Sequence, residues 1–248
     1  MHCHILPGID DGPAEFDEAV AMCRMAAEDG CTAMVATPHL RHHRWWNGDR
    51  LQLEWLLERL SSELSGVLEL HLGGEIALHS ESFDEMLDSL PGGQLLSLAG
   101  SRYLLLELDW QGFGPDPREV VFELKIRGLV PVIAHPERVS WLMEDPELLT
   151  ALVEDGALVQ ITAGSLTGFL GKEAQQASQR LLDDGQVHFI ASDAHGVRRR
   201  PPGLTRARKV VEEGWGEEVA KDLFERHPQA ILENRASIAS PSLRVVRS

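Results

Sequence analysis

The chain has 248 residues, 43% of them hydrophobic and 25% charged, with a formal net charge of −16. That size and balance suit one large α/β domain with a sizeable core. The acidic surplus excludes broad electrostatic affinity for nucleic acid or an anionic membrane, although bound cations can invert the sign of a site locally and leave a phosphorylated substrate open. Cys3, Cys23 and Cys31 form no CxxC pair, so neither a disulfide framework nor a thiolate zinc site is expected. No run approaches the ~20 apolar residues of a membrane-spanning helix. With no signal peptide visible either, the expected location is the cytoplasm.

In chain order, the N-terminus reads His2-Cys3-His4-Ile5-Leu6-Pro7-Gly8-Ile9-Asp10-Asp11-Gly12. On an extended backbone residues i and i+2 share a face, so His2 and His4 can grip one ion together, and Asp10 and Asp11 lie on the turn that follows. Phe16, Ala19, Val20, Cys23 and Ala26 recur at helical spacing, which predicts a helix to Asp29 ended by Gly30. Thr32 to Thr37 reads as a strand closing on Pro38 and His39. A polar, aromatic loop from Arg41 to Gly48 leads to Asp49, which caps an amphipathic helix to about Ser65. Trp45 and Trp46 in that loop could stack a substrate ring or pack on the helix, and packing is favoured. Val67 to Leu72 is the next strand, before Gly73-Gly74-Glu75, and Ser82 to Leu90 a short helix broken by Pro91-Gly92-Gly93.

The second half keeps the rhythm. Strands are expected at Tyr103 to Glu107, Leu129 to Ala134, Leu158 to Thr162 and Val187 to Ala191. Helices are expected at Asp116 to Arg127, Glu147 to Glu154, Lys172 to Asp184, Thr205 to Glu213 and Glu217 to Arg226, with Pro228 stopping the last by biasing His227 away from helical geometry. The tail after Ser237 reads as loose. Strand and helix alternate about seven times with short links and no linker, which predicts a single α/β domain with a mostly parallel sheet, closed or distorted into a barrel.

The chemistry gathers at the strand ends. Taken in order they offer His2, His4 and Asp11; His39; Glu75; Glu107; His135 with Arg138; only Thr162 and Ser165; then Asp193 and His195. Parallel α/β folds bring these ends to one rim. Five imidazoles and four carboxylates exceed what one four-ligand site can use, so about two or three ions sharing bridging carboxylates are expected. His71, His79, His188 and His227 lie mid-strand or on helices and loops and read as structural or surface residues, while His42 and His43 stay undecided.

The order His-x-His, Asp-Asp-Gly, Thr-Pro-His, Gly-Glu-Ile, Leu-Glu, His-Pro-Glu-Arg and Ser-Asp-Ala-His resembles that of the polymerase-and-histidinol-phosphatase (PHP) superfamily, from His2 to about Glu233. More closely, it is similar to the metal-dependent protein-tyrosine phosphatases of bacterial capsule and exopolysaccharide operons. The resemblance implies a distorted (β/α)7 barrel with a trinuclear manganese site, and a phosphotyrosine protein, a tyrosine autokinase, as partner. It also implies a ligand distribution. His2, His4, Asp193 and Glu75 or Glu107 would hold one ion, Glu75, Glu107 and His135 a second, and Asp11, His39 and His195 a third. Arg138 would clamp phosphate, with Arg200 as a second clamp contested by Arg198 and Arg199. His195 is also placed among the catalytic residues. In such relatives a few residues usually precede the first histidine; here Met1 does so directly, so the expectation is either a start placed late or a short first strand.

Independently of any resemblance, mixed imidazole and carboxylate donors suit Mn, Fe or Zn better than Ca or Mg. Two ions would lower the pKa of a bridging water from ~15.7 towards ~7 and supply hydroxide for in-line attack on phosphorus. No cysteine is followed by arginine six positions on, which excludes a cysteine-nucleophile phosphatase. A small-molecule phosphatase such as a histidinol-phosphate phosphatase, and a non-catalytic metal-binding PHP subunit, are the alternatives.

Overall fold

A computed structural model of the chain describes residues 1–45, 47, 49–79 and 96–239; the helix expected at Ser82 to Leu90 and the glycine break after it lie outside them. The strands are β1 (Ala33–Ala36), β2 (His39–Leu40), β3 (Glu69–Leu72), β4 (Glu75–Leu78), β5 (Tyr103–Leu108), β6 (Val130–Ala134), β7 (Leu158–Thr162) and β8 (Phe189–Ala191). Every pairing is parallel: β1 with β3, and β2-β4-β5-β6-β7-β8 in that order. The strands β4, β5 and β7 are buried throughout, as expected for a parallel sheet covered by helices.

The strands expected at Thr32 to Thr37 and Val67 to Leu72 form as β1 and β3, and each is followed by a second, short strand. Pro38, which has no N–H to give a ladder, separates β1 from β2. Gly73 and Gly74 separate β3 from β4 at a place with no room for side chains. A Cβ on Gly73 would lie 2.9 Å from Val35 Cγ1, and one on Gly74 would lie 2.1 Å from Leu40 Cδ1. Glu75 therefore opens a strand where the sequence placed it just beyond one.

The first expected strand is reduced to a single bridge, Cys3 with Ala194. The segment is nevertheless held on both sides. His4 N–H donates to the Ala194 carbonyl at 2.9 Å and Asp193 N–H to the His2 carbonyl at 3.0 Å. On the other flank Thr37 N–H donates to the Cys3 carbonyl at 2.9 Å, and Cys3 N–H to Thr37 Oγ1 at 3.0 Å. Residues 2–4 thus lie between the end of β1 and the chain just past β8, which is where a barrel of this connectivity has its seam.

The helices are α1 (Phe16–Glu28), α2 (Arg50–Glu63), α3 (Pro117–Ile126), α4 (Ser140–Glu144), α5 (Pro146–Glu154), α6 (Ala163–Leu166), α7 (Lys172–Asp183), α8 (Thr205–Trp215), α9 (Glu217–Lys221) and α10 (His227–Leu232). The expected cap is in place, the Asp49 carboxylate accepting the N–H of Leu51 and Gln52; Asp116, expected as the first residue of its helix, instead caps α3 by accepting the N–H of Arg118. Leu53, Leu56 and Leu60 of α2 are buried, which is the face its spacing predicted. One expectation fails. Pro228 does not stop the last helix: a π turn at Asp222–Arg226 joins α9 to α10, and His227 is fully helical at φ −72° and ψ −46°. Pro228 falls in the first turn of α10, where its missing N–H costs little, and the widened turn before it shifts the hydrogen-bond register that the ring would otherwise break.

His188 and His227 are buried and structural, as their positions implied. Val159 N–H donates to His188 Nδ1 at 3.1 Å, which requires an unprotonated ring nitrogen, and His227 Nδ1 lies 2.7 Å from the His188 carbonyl. Burial, then the neighbouring His227, push the His188 pKa down to about 4. An unfolded histidine takes its proton near ~6.5, so the unfolded chain binds it first and stability falls as pH drops from ~6.5 towards the folded value. The decline in urea midpoint between pH 7 and pH 5 should be smaller in His188→Gln than in the parent chain; equal declines would remove His188 from the acid response. A second expectation concerns Gly12, where an added Cβ would lie 2.6 Å from the His4 carbonyl oxygen. Backbone cannot yield as a side-chain tip does, so Gly12→Ala should cost about 1–3 kcal/mol, read from chemical denaturation.

Candidate metal centre

His39 on β2 pairs in register with Glu75 on β4, and Ala77 on β4 with Glu107 on β5. His135 follows β6 directly, its N–H donating to the Gln160 carbonyl of β7 at 2.7 Å, and Asp193 and His195 follow β8. His2 and His4 arrive on the segment that lies beside Ala194. These residues come from strands far apart in sequence, and the parallel topology brings all nine to one end of the sheet.

Glu75 is at the middle. It is 1% exposed, and its Oε1 lies 2.9 Å from His135 Nε2 and 3.2 Å from His2 Nε2. Its Oε2 lies 3.0 Å from His39 Nδ1 and 3.3 Å from His4 Nε2. Asp193 Oδ1 lies 3.4 Å from His2 Nε2 and 3.6 Å from His4 Nε2. Asp11 Oδ1 faces His195 Nε2 at 3.1 Å and His39 Nε2 at 3.6 Å. Glu107 is 3.7 Å from His39 and 3.9 Å from His135. His135 and Asp193 hold left-handed backbone conformations, φ 34° and 49°, which is strain stored where two of the strand ends turn into the cluster.

Four sets of donor atoms fall within 4.8 Å of one another and could each hold an ion: His4, Asp11, His39 and His195; His2, Glu75 and His135; His2, His4 and Asp193; and His39, Glu75 and Glu107. The donors also look for partners. His2 Nε2, His4 Nε2, His39 Nδ1 and Asp11 Oδ1 are buried with no hydrogen bond, which in an ordinary core is rare and costly. The donor set and its orphaned nitrogens fit a metal cluster.

Second partners set the ring orientations. Gln160 Oε1 meets His2 Nδ1 at 2.6 Å, and Asp10 Oδ2 meets His4 Nδ1 at 2.7 Å while also accepting the His39 N–H at 3.0 Å. His195 Nδ1 donates to the Asp193 carbonyl at 2.8 Å. Each contact directs the opposite nitrogen, Nε2, into the cluster, which is how such rings are aimed at ions. The roles of Gln160 and Asp10 were not read from the sequence. A glutamine in the middle of the otherwise apolar β7 was the available signal for the first; nothing separated Asp10 from Asp11 for the second.

Burial acts against every charge here, and the imidazoles decide the outcome. Burial pushes Glu75 up, but the close imidazoles of His2, His135 and His39 hold it well below the usual carboxylate range. Asp193 is held at about 2, with burial opposed by His2, Arg200, His135 and His195. Glu107, pushed by burial and by the Glu75 charge, moves up instead. Two arginines share the far oxygen of Asp193: Arg200 Nη1 at 2.6 Å and Arg138 Nη1 at 2.9 Å. Of the three consecutive arginines Arg198, Arg199 and Arg200, it is Arg200 that turns inward; the other two line a shallow surface cleft with Asp11, Asp17, Glu18 and His195.

The outer histidines form a separate stack. Trp45 lies parallel to His39, at 5.3 Å between centroids and 5° between planes, and His42 stacks on both. Trp45 therefore packs against a histidine of the cluster; Trp46 lies outside the described residues. His43 and His79 continue the ring contacts outward.

Residues 1–233 match the family model described as capsular polysaccharide synthesis, CpsB/CapC. The chain belongs to the CpsB/CapC family. YwqE of Bacillus subtilis strain 168, a tyrosine-protein phosphatase, is 36% identical over 252 residues, spanning 100% of this chain and 96% of YwqE. CpsB of Streptococcus agalactiae, also a tyrosine-protein phosphatase, is 27% identical over 241 residues, spanning 94% of this chain and 98% of CpsB. A crystal structure from a study of YwqE from Bacillus subtilis and CpsB from Streptococcus pneumoniae, named there as unique metal-dependent tyrosine phosphatases, superposes with a TM-score of 0.89 at 33% identity, covering 100% of this chain and 98% of that one. The fold is thus that of a CpsB/CapC protein.

If Asp10 serves to orient His4, Asp10→Ala should weaken divalent-ion binding by about 10–100-fold, measured by titration of the metal-free chain. An unchanged affinity would reduce Asp10 to a turn residue.

Proposed function

We propose that this chain is a metal-dependent protein-tyrosine phosphatase that removes phosphate from a phosphotyrosyl protein, such as an autophosphorylating tyrosine kinase of capsule or exopolysaccharide synthesis, in the cytoplasm. The observation that carries the reading is the buried cluster of nine donors with unpartnered nitrogens beside two inward arginines, in a chain 36% identical to a tyrosine-protein phosphatase. Among the described residues no helix is long and apolar enough to cross a membrane.

His2, His4, His39, His135 and His195, with Asp11, Glu75, Glu107 and Asp193, would hold the ions, more than one per chain; manganese suits this donor set, and iron or zinc would also be accepted. Glu75, in contact with four imidazoles, would be available to more than one ion. When bound, such ions supply Lewis-acid charge and lower the pKa of coordinated water towards ~7. The remaining work falls to the chain. Arg138 and Arg200 present guanidinium donors on one side of the cluster, the geometry that takes two or more phosphoryl oxygens at once. They neutralise charge on those oxygens as it redistributes during transfer. Tyrosinate, with a pKa near ~10, leaves with less protonic help than an alkoxide.

Metal-loaded chain should hydrolyse a phosphotyrosyl peptide, lose that activity to a chelator and regain it with manganese. Asp193→Ala and His135→Ala should each lower turnover more than about 100-fold, beyond what loss of an orienting residue costs. Faster turnover of histidinol phosphate than of phosphotyrosyl peptide would overturn the substrate assignment. Arg138→Ala should lower kcat/KM by roughly 10–100-fold, the size of one charge-assisted hydrogen bond lost, with metal content unchanged.

A further inference from the structure

Trp110 sits in a loop whose shape is fixed several times over. Asp109 Oδ1 accepts the N–H groups of Gln111 at 2.9 Å and Phe113 at 3.0 Å, and the Asp109 carbonyl accepts the indole N–H of Trp141 at 2.9 Å. Gly112 turns the loop at φ 79°, a conformation glycine adopts freely, and a Cβ on Gly114 would lie 2.9 Å from the Leu78 carbonyl oxygen. A loop tied in this way presents one side chain in one place.

That side chain meets three members of the site. Trp110 Nε1 donates to Glu107 Oε1 at 2.9 Å. Its ring stacks on His135, with centroids 5.5 Å apart and planes 23° apart. The Arg138 guanidinium carbon lies 4.9 Å from the ring centroid. Even so, Trp110 stays 43% exposed. A tryptophan present only to fill the loop would bury more of itself and would have no need to put its N–H on a carboxylate inside the cluster.

We propose that Trp110 is a positioning residue that ties ion binding to phosphate recognition, a role that rests on the phosphatase reading above. The indole N–H holds one oxygen of Glu107, leaving Oε2 towards His39 at 3.7 Å. The ring face supports the Arg138 guanidinium by a cation–π contact, so that its plane stays aimed at the phosphoryl position while Asp193 holds one of its nitrogens. Loss of the N–H acts on the metal side, and loss of the ring acts on both sides.

Two variants separate these effects. Trp110→Phe keeps a ring and lacks the donor, and Trp110→Ala lacks both. Manganese affinity, measured by titration of metal-free chain, should fall about 10-fold or more in each variant, as for other partners of metal-binding side chains. Inhibition of the manganese-saturated enzyme by inorganic phosphate should stay within about 2-fold of the parent in Trp110→Phe and weaken several-fold in Trp110→Ala, where the cation–π support is gone. Parent-like manganese and phosphate binding in both variants would make Trp110 simple loop packing and sink the proposal. A parent chain that binds manganese but hydrolyses no phosphomonoester would instead overturn the phosphatase reading, and the manganese titrations would still decide for or against Trp110.

Discussion

Glu75 has almost no contact with water, and a carboxylate in that position survives only if its charge is met on every side. Four imidazoles from three parts of the chain do this at 2.9–3.3 Å. They are His2 and His4 from the N-terminal segment, His39 from β2 and His135 from the turn after β6. The requirement reaches back into the fold, because a one-residue slip of β4 against β2 would turn Glu75 to the opposite face and strand both partners. The register His39 with Glu75 is thus a condition for the cluster and for the seating of two strands at once.

The N-terminal segment shows the same dependence from the other side. With a single bridge in place of a strand, residues 2–4 have few ladder hydrogen bonds of their own. Contacts to Thr37 on one flank and to Asp193 and Ala194 on the other hold them, while Gln160 and Asp10 hold the two rings. Since Asp10 also accepts the His39 N–H, one carboxylate fixes a ring on the terminal segment and the backbone at β2. Side-chain chemistry here does part of what backbone pairing does elsewhere in the sheet.

The strand ends were legible in the sequence because parallel strands are continuously apolar and stop abruptly at ionisable residues. Phe189-Ile-Ala191 running into Asp193 and His195, and Val132-Ile-Ala134 running into His135, each carry that signature. The ends of the helices were legible from Asp49, Asp116 and Gly30. What was not legible depended on contacts across the fold. The division of β3 from β4 follows from how closely Gly73 and Gly74 approach Val35 and Leu40, which no local pattern reveals. The π turn before α10 is a tertiary solution to Pro228, and local propensity alone argued for a stop. Gln160 and Asp10 act through partners 158 and 6 residues away.

Arg138 and Arg200 place positive charge beside the cluster of an acidic chain. Both rest on the same oxygen of Asp193, whose other oxygen faces His2 and His4. A buried carboxylate bridging two guanidinium groups to the imidazole cluster keeps the arginines extended over the site, where the surface excess of negative charge would otherwise draw them to Asp or Glu side chains outside it. The −16 net charge is therefore compatible with the proposed phosphate binding: positive charge is needed over the width of one phosphoryl group, and Asp193 is the residue that keeps it there.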